Sequence, residues 1–212
     1  MRYKCRTQHF REFRPTVVLL GNSILPLWYI EKAHETLQPD FFLHSEKVEP
    51  DLDKAFALCK KLEKGQHLQV VWIVDVEHVV NYNQNLGLSR GETLAALHTI
   101  FEEMQSHPKV LLVINNPTFE VWLQLHFEQL SRSLELTGET VCRRLQTYLP
   151  DYSREASFYH ATESIFMKTQ QNLQTASIHA TSLVDPDFPE LRYARTSMSK
   201  VINLLQPQND GQ

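Results

Sequence analysis

Four short apolar segments occupy the first half of the chain, and stretches with helical periodicity separate them. The segments are TVVLL at 16–20, FFLHS at 41–45, QVVWIVD at 69–75 and KVLLVIN at 109–115. Three of them are continuous runs of β-branched and apolar residues, which is typical of strands that are covered on both faces. The pattern therefore predicts a central sheet whose strands are largely buried.

Helical patterns lie between the predicted strands, at 26–37, 51–64 and 91–106. The third opens on Ser89-Arg90-Gly91-Glu92, which has the spacing of a capping box. It then places an apolar residue on one face at each helical turn: Leu94, Leu97, Phe101 and Met104. Because strand and helix alternate, the first half predicts a mostly parallel sheet with right-handed crossovers.

The strand signal disappears after residue 116, and helical patterns continue to the end of the chain. They cover 117–130, 137–148, about 160–184 and about 188–205, with breaks at Gly138, at Pro150-Asp151 and at 185–190. The sequence predicts one α/β domain over 1–205, with a sheet of about four strands, helices on both faces, and a helical half at 117–205. A disordered tail is predicted at 206–212.

Composition narrows the class of protein. The chain has 212 residues, 42% of them hydrophobic, so it can build a real core, and its net charge of −4 argues against a generic nucleic-acid coat. The three cysteines, Cys5, Cys59 and Cys142, form no Cys-x-x-Cys pair, which excludes a zinc ribbon and fits a reducing cytoplasm. The apolar run TVVLLGNSILPLWYI is too interrupted to span a bilayer. We expect a cytoplasmic protein without a membrane partner.

Positive charge is concentrated in residues 1–14. This arm holds one acid, Glu12, against five basic residues: Arg2, Lys4, Arg6, Arg11 and Arg14. Such an arm is either a solvated N-terminal segment or a contact for the phosphates of a nucleic acid. Nucleic acid is therefore a candidate partner.

Acidic residues follow the third predicted strand. Ligands of an open parallel sheet bind beyond the carboxyl ends of its strands, and Asp75, Glu77 and His78 lie at such an end. Asp75 and Glu77 could both reach one hard cation, since Mg²⁺ takes one or two protein carboxylates and keeps several waters. The alternative is that the acids are solvated or cap the next element, and that His78 is a hydrogen-bonding loop residue.

The segment after the fourth predicted strand mixes bulky apolar residues with an acid. Asn116-Pro117 predicts a helix start, with an N-cap followed by proline at the first helical position. A stripe at helical spacing predicts core packing: Phe119, Trp122, Leu123, His126, Phe127 and Leu130. Packing does not explain Glu120, which either favours the helix dipole or serves a site. We expect Asp75, Glu77 and Glu120 to share one rim of the sheet.

Several segments resemble the RloB-like family, prokaryotic proteins found near restriction and phage-defence genes, often beside an AAA-type ATPase. INNPTFEVWLQLHFE resembles the Ser-Asn-Pro-x-Phe-Glu-x-Trp-x-x-x-His-Phe segment of that family, and VVWIVDVEHV resembles its Asp-x-Asp-Glu-His motif. TASIHATSLV and ARTSMSKVINLL resemble its C-terminal helices. The resemblance spans about residues 15 to 205.

The resemblance implies a Toprim-like fold and a divalent-metal site. By position, Asp75 and Glu77 match the metal pair, and Glu120 matches the acid of the Phe-Glu-x-Trp helix. The family reads Glu-Gly-x-x-Thr-Glu-Pro after the first strand, but here Leu20 and Leu25 stand at the two glutamate positions. A leucine neither accepts a proton nor holds a cation, so Glu120 and His78 are left as the candidate catalytic residues.

These features support two leading hypotheses and one more distant one. The first is a metal-dependent nuclease subunit of an anti-phage, abortive-infection type system that binds Mg²⁺ or Mn²⁺ weakly and acts with an AAA-type ATPase. The second is a non-catalytic assembly or sensing subunit of the same kind of system. The third is a Rossmann-like nucleotide-binding module, against which the lack of a Gly-x-Gly-x-x-G or Walker loop argues. The sequence does not determine the oligomeric state, and an oligomer is possible.

Overall fold

The centre of the described part of the chain is a five-stranded sheet with the order β2-β1-β3-β4-β5. The computed structural model describes residues 14–183, 191 and 193–206. The strands are β1 (Thr16–Gly21), β2 (Phe42–Lys47), β3 (Gln69–Asp75), β4 (Val110–Asn116) and β5 (Arg195–Thr196). The first four run parallel, and β5 is antiparallel to β4. The predicted mostly parallel α/β sheet is confirmed.

Helices connect and cover the strands. They are α1 (Ile24–Leu37), α2 (Leu52–Glu63), α3 (Val76–Asn85), α4 (Arg90–Met104), α5 (Glu120–Gln124), α6 (Gly138–Leu145), α7 (Ala156–Tyr159), α8 (Ile165–Thr169), a 3₁₀ turn (Gln170–Asn172), α9 (Leu173–Leu183) and α10 (Ser199–Leu205). The three helices predicted in the first half correspond to α1, α2 and α4. The capping box of α4 is present, with the Ser89 and Glu92 side chains bonded reciprocally to the backbone.

The sheet separates two apolar clusters because alternate side chains of a strand point to opposite faces. In β1, Val18 and Leu20 pack with residues of α2, α3 and α4. Val17 and Leu19 pack on the other face with α1 and the helices of the second half. Helices therefore cover both faces, as predicted, and the C-terminal half forms most of one layer.

The observed elements differ from the predicted ones in four places. Helix α3 was not predicted, because the strand-like run ends at Asp75 and the helix begins at the next residue. The predicted helix at 117–130 is limited to α5, and the one at 188–205 is replaced within the described residues by β5 and α10. Asn116 does not cap a helix: its side-chain amide donates to the carbonyls of Leu191 (3.0 Å) and Tyr193 (2.6 Å). The Asn116-Pro117 peptide bond is cis.

The side chain of Asn22 joins the ends of β1 and β3. Its Nδ2 donates to the backbone oxygen of Asp75 at 3.0 Å, and its Oδ1 accepts from the backbone nitrogen of Asp75 at 2.8 Å. This paired bond resembles one more rung of a β-ladder, made by a side-chain amide instead of a backbone amide. It places the start of α1 beside the carboxyl end of β3.

The predicted basic arm is only partly described. Arg2, Lys4, Arg6 and Arg11 lie outside the described residues, as does the predicted tail after Gln206. Arg14 forms an ion pair with Asp40 at 3.2 Å, and both side chains are exposed. In the described part of the chain, no helix has the length and apolar character needed to cross a membrane.

Candidate functional site

A cavity of about 200 Å³ lies at the carboxyl edge of the sheet. The end of β3, the start of α1, helix α5 and the segment before α7 surround it. Its polar lining consists of Asn22, Ser23, Lys47, Asp75, His78, Glu120 and Arg154. Three of the predicted site residues, Asp75, His78 and Glu120, therefore meet in one place, as expected for residues that follow strand ends.

Asp75 is the last residue of β3 and the N-cap of α3, and its side chain makes no capping bond. It is 1% exposed. Its Oδ1 accepts from Asn115 Nδ2 at 2.9 Å, whereas Oδ2 has no hydrogen-bond partner in the described structure. Burial raises the pKa of Asp75 to about 6; the Asn115 amide opposes this rise and the negative charge of Glu120 adds to it. A buried carboxylate oxygen left open in this way is suited to accept a proton donor or a cation.

Glu120 is the first residue of α5 and is fully buried. Its Oε1 accepts from Nε of Arg154, and Nη2 of Arg154 also donates to the Gly138 carbonyl at 3.3 Å. The Arg154 side chain is 46% exposed. Oε2 of Glu120 has no hydrogen-bond partner among the described residues. The arginine thus supplies a counter-charge to one oxygen of Glu120 and leaves the other open.

Glu77 lies next to the cavity but is not among the residues that line it. Its Oε2 accepts from the backbone nitrogen of Gly138, the first residue of α6, at 3.0 Å. A β-carbon at position 138 would clash with the same oxygen, so glycine is needed for this close approach. The structure therefore joins Glu77 to the start of α6 and does not bring it together with Asp75 and Glu120 as one open carboxylate set.

The two leucines at the family's glutamate positions have different surroundings. Leu20 is fully buried and packs in the apolar cluster under α2, α3 and α4. Leu25, 7% exposed, lines the cavity itself. Only position 25 is therefore placed where a longer acidic side chain would reach the site.

Two cationic residues of the cavity were missed from the sequence. Lys47 is the exposed last residue of β2, and Arg154 lies in the segment before α7. Arg154 is 34 residues from Glu120 along the chain and belongs to no recognisable motif, so only the fold reveals the pair. Asn22 could have been identified from the sequence, because a polar residue directly after a buried strand needs hydrogen-bond partners for its side-chain amide.

The apolar stripe after β4 is core, as predicted. Phe119, Trp122, Leu123 and Leu130 are buried, and Phe127 packs partly buried against the same cluster. His126 belongs with them: it is 2% exposed, and its Nδ1 bonds the Trp122 carbonyl at 3.0 Å.

The acids fit a hydrated divalent ion better than a fully protein-bound one. Among the residues described, no group of three or more His, Cys, Asp or Glu side chains could hold a metal. Asp75 Oδ2 and Glu120 Oε2 are two buried, unpartnered carboxylate oxygens of residues that line one cavity. Two protein carboxylates with several retained waters is an arrangement that Mg²⁺ commonly adopts. Asp75 and Glu120 thus supply the unpartnered oxygens of this cavity, whereas Glu77 is bonded to the start of α6. The predicted metal pair of Asp75 with Glu77 stays a prediction.

A family model matches the part of the chain that contains all the residues of the cavity. The model of the family described as RloB-like protein matches residues 22–206, a range that includes every residue lining the site. No curated protein and no solved structure matches the chain. The likeness to the Toprim fold thus stays a prediction. On the extent of the family match, the chain belongs to the RloB-like family.

Proposed function

We propose that this protein is the divalent-metal-dependent, nuclease-type subunit of a prokaryotic anti-phage or restriction-associated system, with weak activity of its own. The observation that supports the proposal is the pair of buried carboxylates, Asp75 and Glu120, each with one oxygen that lacks a partner within the described chain. Leaving buried acceptors unpaired is costly, so such atoms in a native structure need an explanation. A bound cation gives both oxygens a partner at once.

Each residue of the cavity has a role in this proposal. Asp75 Oδ2 and Glu120 Oε2 would hold a hydrated Mg²⁺ or Mn²⁺, which when bound stabilises negative charge on a scissile phosphate. Lys47, exposed at the cavity edge, attracts the phosphate backbone. His78 lines the same cavity and is the candidate general acid or base.

Two features weaken the site. Leu25 lines the cavity where the family pattern has a glutamate, so the carboxylate base expected there is missing. General acid–base catalysis contributes typically about 10²–10⁴-fold, and its loss leaves cleavage feeble rather than absent. In addition, the guanidinium of Arg154 already bonds Glu120 and competes with a metal for its charge.

The same ion pair favours the second candidate, a non-catalytic assembly or sensing subunit. Arg154 compensates Glu120 without any bound metal, so the fold is held together at this edge even if no chemistry takes place. In either role we propose an AAA-type ATPase as the partner, because the resemblance implies one. The basic arm that includes Arg14 is the proposed contact for nucleic acid.

Metal binding separates the two candidates. We expect calorimetry to detect weak Mn²⁺ binding to the wild type at up to about millimolar metal, lost in Asp75→Asn. Arg154→Gln removes the competing cation and should bind Mn²⁺ more tightly than the wild type. Asp151→Asn, at an exposed carboxylate paired with Lys168, is the matched control and should bind like the wild type.

Plasmid nicking provides the second measurement. The isolated protein should nick DNA weakly or not at all in Mg²⁺. Strong Mg²⁺-dependent nicking that Asp75→Asn abolishes would contradict the weak-activity part of the proposal. A wild type that binds no Mn²⁺ would contradict the metal site and favour the assembly role.

A further inference from the structure

A chain of hydrogen bonds runs from the C-terminal strand to the candidate site. Thr196 lies in β5, is 1% exposed, and pairs in register with Asn115 of β4. The Thr196 hydroxyl donates to Asn115 Oδ1 at 2.6 Å and accepts from the backbone nitrogen of Met198 at 3.1 Å. Asn115 Nδ2 in turn donates to Asp75 Oδ1 at 2.9 Å.

The direction of this chain is determined by the groups at its two ends, the Met198 N–H and the Asp75 carboxylate. A hydroxyl has a single proton to donate. The Met198 N–H takes one lone pair of the Thr196 oxygen, and the Asp75 carboxylate accepts from the Asn115 amide, so the hydroxyl proton of Thr196 is directed at Asn115 Oδ1. The oxygen of the Asn115 amide is thereby engaged on the Thr196 side. Its NH₂ group must then face Asp75, and the flipped amide would direct a carbonyl oxygen at a carboxylate.

The consequence for Asp75 is a carboxylate with two unequal oxygens. Oδ1 is bonded to Asn115, and Oδ2 stays open. Asn22 fixes the backbone of the same residue on both its nitrogen and its oxygen. Backbone and side chain are thus restrained independently, and the side-chain restraint begins at Thr196.

We propose that Thr196 is a positioning residue of the site: through Asn115 it determines which oxygen of Asp75 is presented to a divalent cation. Thr196 does not touch the cation or a substrate. The cation itself rests on the proposed function. Partners behind a metal ligand orient it and maintain its basicity, and their loss typically costs about 10–100-fold in metal affinity.

Two substitutions at position 196 separate the hydroxyl from the shape of the side chain. Thr196→Val replaces the hydroxyl with a methyl group of similar size and should weaken Mn²⁺ binding about 10–100-fold by calorimetry. Thr196→Ser keeps the hydroxyl and should stay close to the wild type. The matched control is Thr93→Val, since Thr93 is also buried and bonds an asparagine, Asn83, at 3.2 Å in a different part of the fold. Equal Mn²⁺ affinities for Thr196→Val and the wild type would overturn the proposal.

A second measurement uses the metal-free protein. The side-chain amide of Asn115 should give distinct NMR signals that exchange slowly with solvent in the wild type and in Thr196→Ser. Thr196→Val should shift these signals and speed their exchange, because the amide loses its fixed orientation. If the wild-type Asn115 amide exchanges as fast as a solvent-exposed amide, the relay, meaning the hydrogen-bond chain from Thr196 through Asn115 to Asp75, is refuted. This outcome does not depend on whether Thr196→Val folds.

The two measurements keep the two proposals apart. A wild type that binds no Mn²⁺ contradicts the proposed function, while the Asn115 signals still test the relay. Bound Mn²⁺ together with unchanged Asn115 signals in Thr196→Val contradicts the relay and leaves the metal site in place.

Discussion

Buried polar side chains near β4 differ in how completely they are bonded, and the two acids of the candidate site are among those with an unpartnered atom. His126 faces the carbonyl of Trp122 with one ring nitrogen and the hydroxyl of Tyr29 with the other, at 3.0 and 3.4 Å. Both of its nitrogens therefore have partners inside the core. Asp75 and Glu120 each keep one oxygen without a partner in the described residues. The histidine of the family-like segment is thus bonded within the core, whereas the two acids of the candidate site each keep an unpartnered oxygen.

The burial of His126 makes stability depend on pH. Burial lowers the pKa of His126 to about 4, and bonding to the Trp122 carbonyl opposes this only in part. Between that value and the ordinary pKa of about 6.5, the unfolded chain takes up a proton that the folded protein refuses. Stability should therefore fall as pH drops through this window, by up to about 3 kcal/mol at its lower end.

Urea unfolding at several pH values between 7.5 and 4.5 measures this effect. His126→Gln should show a shallower loss of stability with falling pH than the wild type. His98→Gln changes a half-exposed histidine on α4 and should keep the wild-type slope. The same slope in all three proteins would show that His126 is not the group that couples folding to protons.

Contacts between elements, rather than residues of one element, determine where the acids of this edge point. Glu77 is in the first turn of α3, and its carboxylate meets the first backbone N–H of α6. A negative charge at a helix start bonds a free N–H and favours the helix dipole. The role we infer for Glu77 is therefore to join two helices.

Glu77→Ala tests this role. It should lower stability by about 1 kcal/mol, the usual cost of losing a helix cap, and leave the affinity for Mn²⁺ unchanged. A thermal melt and a calorimetric titration of the same sample measure both quantities. Glu139→Ala is the control, because Glu139 lies in the first turn of the same helix but is exposed and paired with Arg143. Loss of Mn²⁺ binding without loss of stability would instead support the predicted metal role of Glu77.

The elements that the sequence predicted well are those specified by local patterns. The apolar runs give β1, β3 and β4, and the capping box of Ser89 with Glu92 gives the start of α4. Elements that depend on distant partners were missed. β5 has two residues and exists because β4 offers it an edge, and Asn116 bonds carbonyls about 75 residues away instead of capping a helix.

The same distinction applies to the candidate site. Asp75, His78 and Glu120 were predicted to lie near strand ends, and the fold does bring them to one cavity. Their partners could not be predicted, because Asn115, Arg154 and Thr196 acquire their roles only through tertiary contacts. Strand order and the local pattern determine which residues lie at the same cavity. The tertiary contacts of each side chain determine which of its polar atoms lack a hydrogen-bond partner.

For the molecule as a whole, the position of a residue relative to the sheet determines whether its departure from the family pattern affects the candidate site. Leu20 and Leu25 stand at the two positions where the resemblance implies glutamate, and their side chains lie in the clusters on opposite faces of the sheet. Only Leu25 borders the cavity that holds Asp75 and Glu120. Of these two positions, only position 25 can add a carboxylate to the cavity, and a glutamate there should strengthen the proposed site.

Leu25→Glu should bind Mn²⁺ at least about tenfold more tightly than the wild type, because a third carboxylate raises the negative charge at the cation. The gain should disappear when Asp75→Asn is added, since the new carboxylate needs its partner. Some stability will be lost, as Leu25 is 7% exposed and packs in the core. Calorimetry with Mn²⁺ and a thermal melt of each variant measure the two effects separately.

Two controls identify the cause of any gain. Leu25→Gln introduces a side chain of nearly the same shape as that in Leu25→Glu but without the charge. It should lose a similar amount of stability and should not bind Mn²⁺ more tightly than the wild type. Leu20→Glu places a carboxylate in the closed apolar cluster on the other face, where an unpaired charge is strongly unfavourable, and should destabilise the protein without tightening Mn²⁺ binding. If Leu25→Glu binds Mn²⁺ no better than Leu25→Gln, Asp75 and Glu120 do not form one end of a cation site, and the edge of the sheet serves assembly instead.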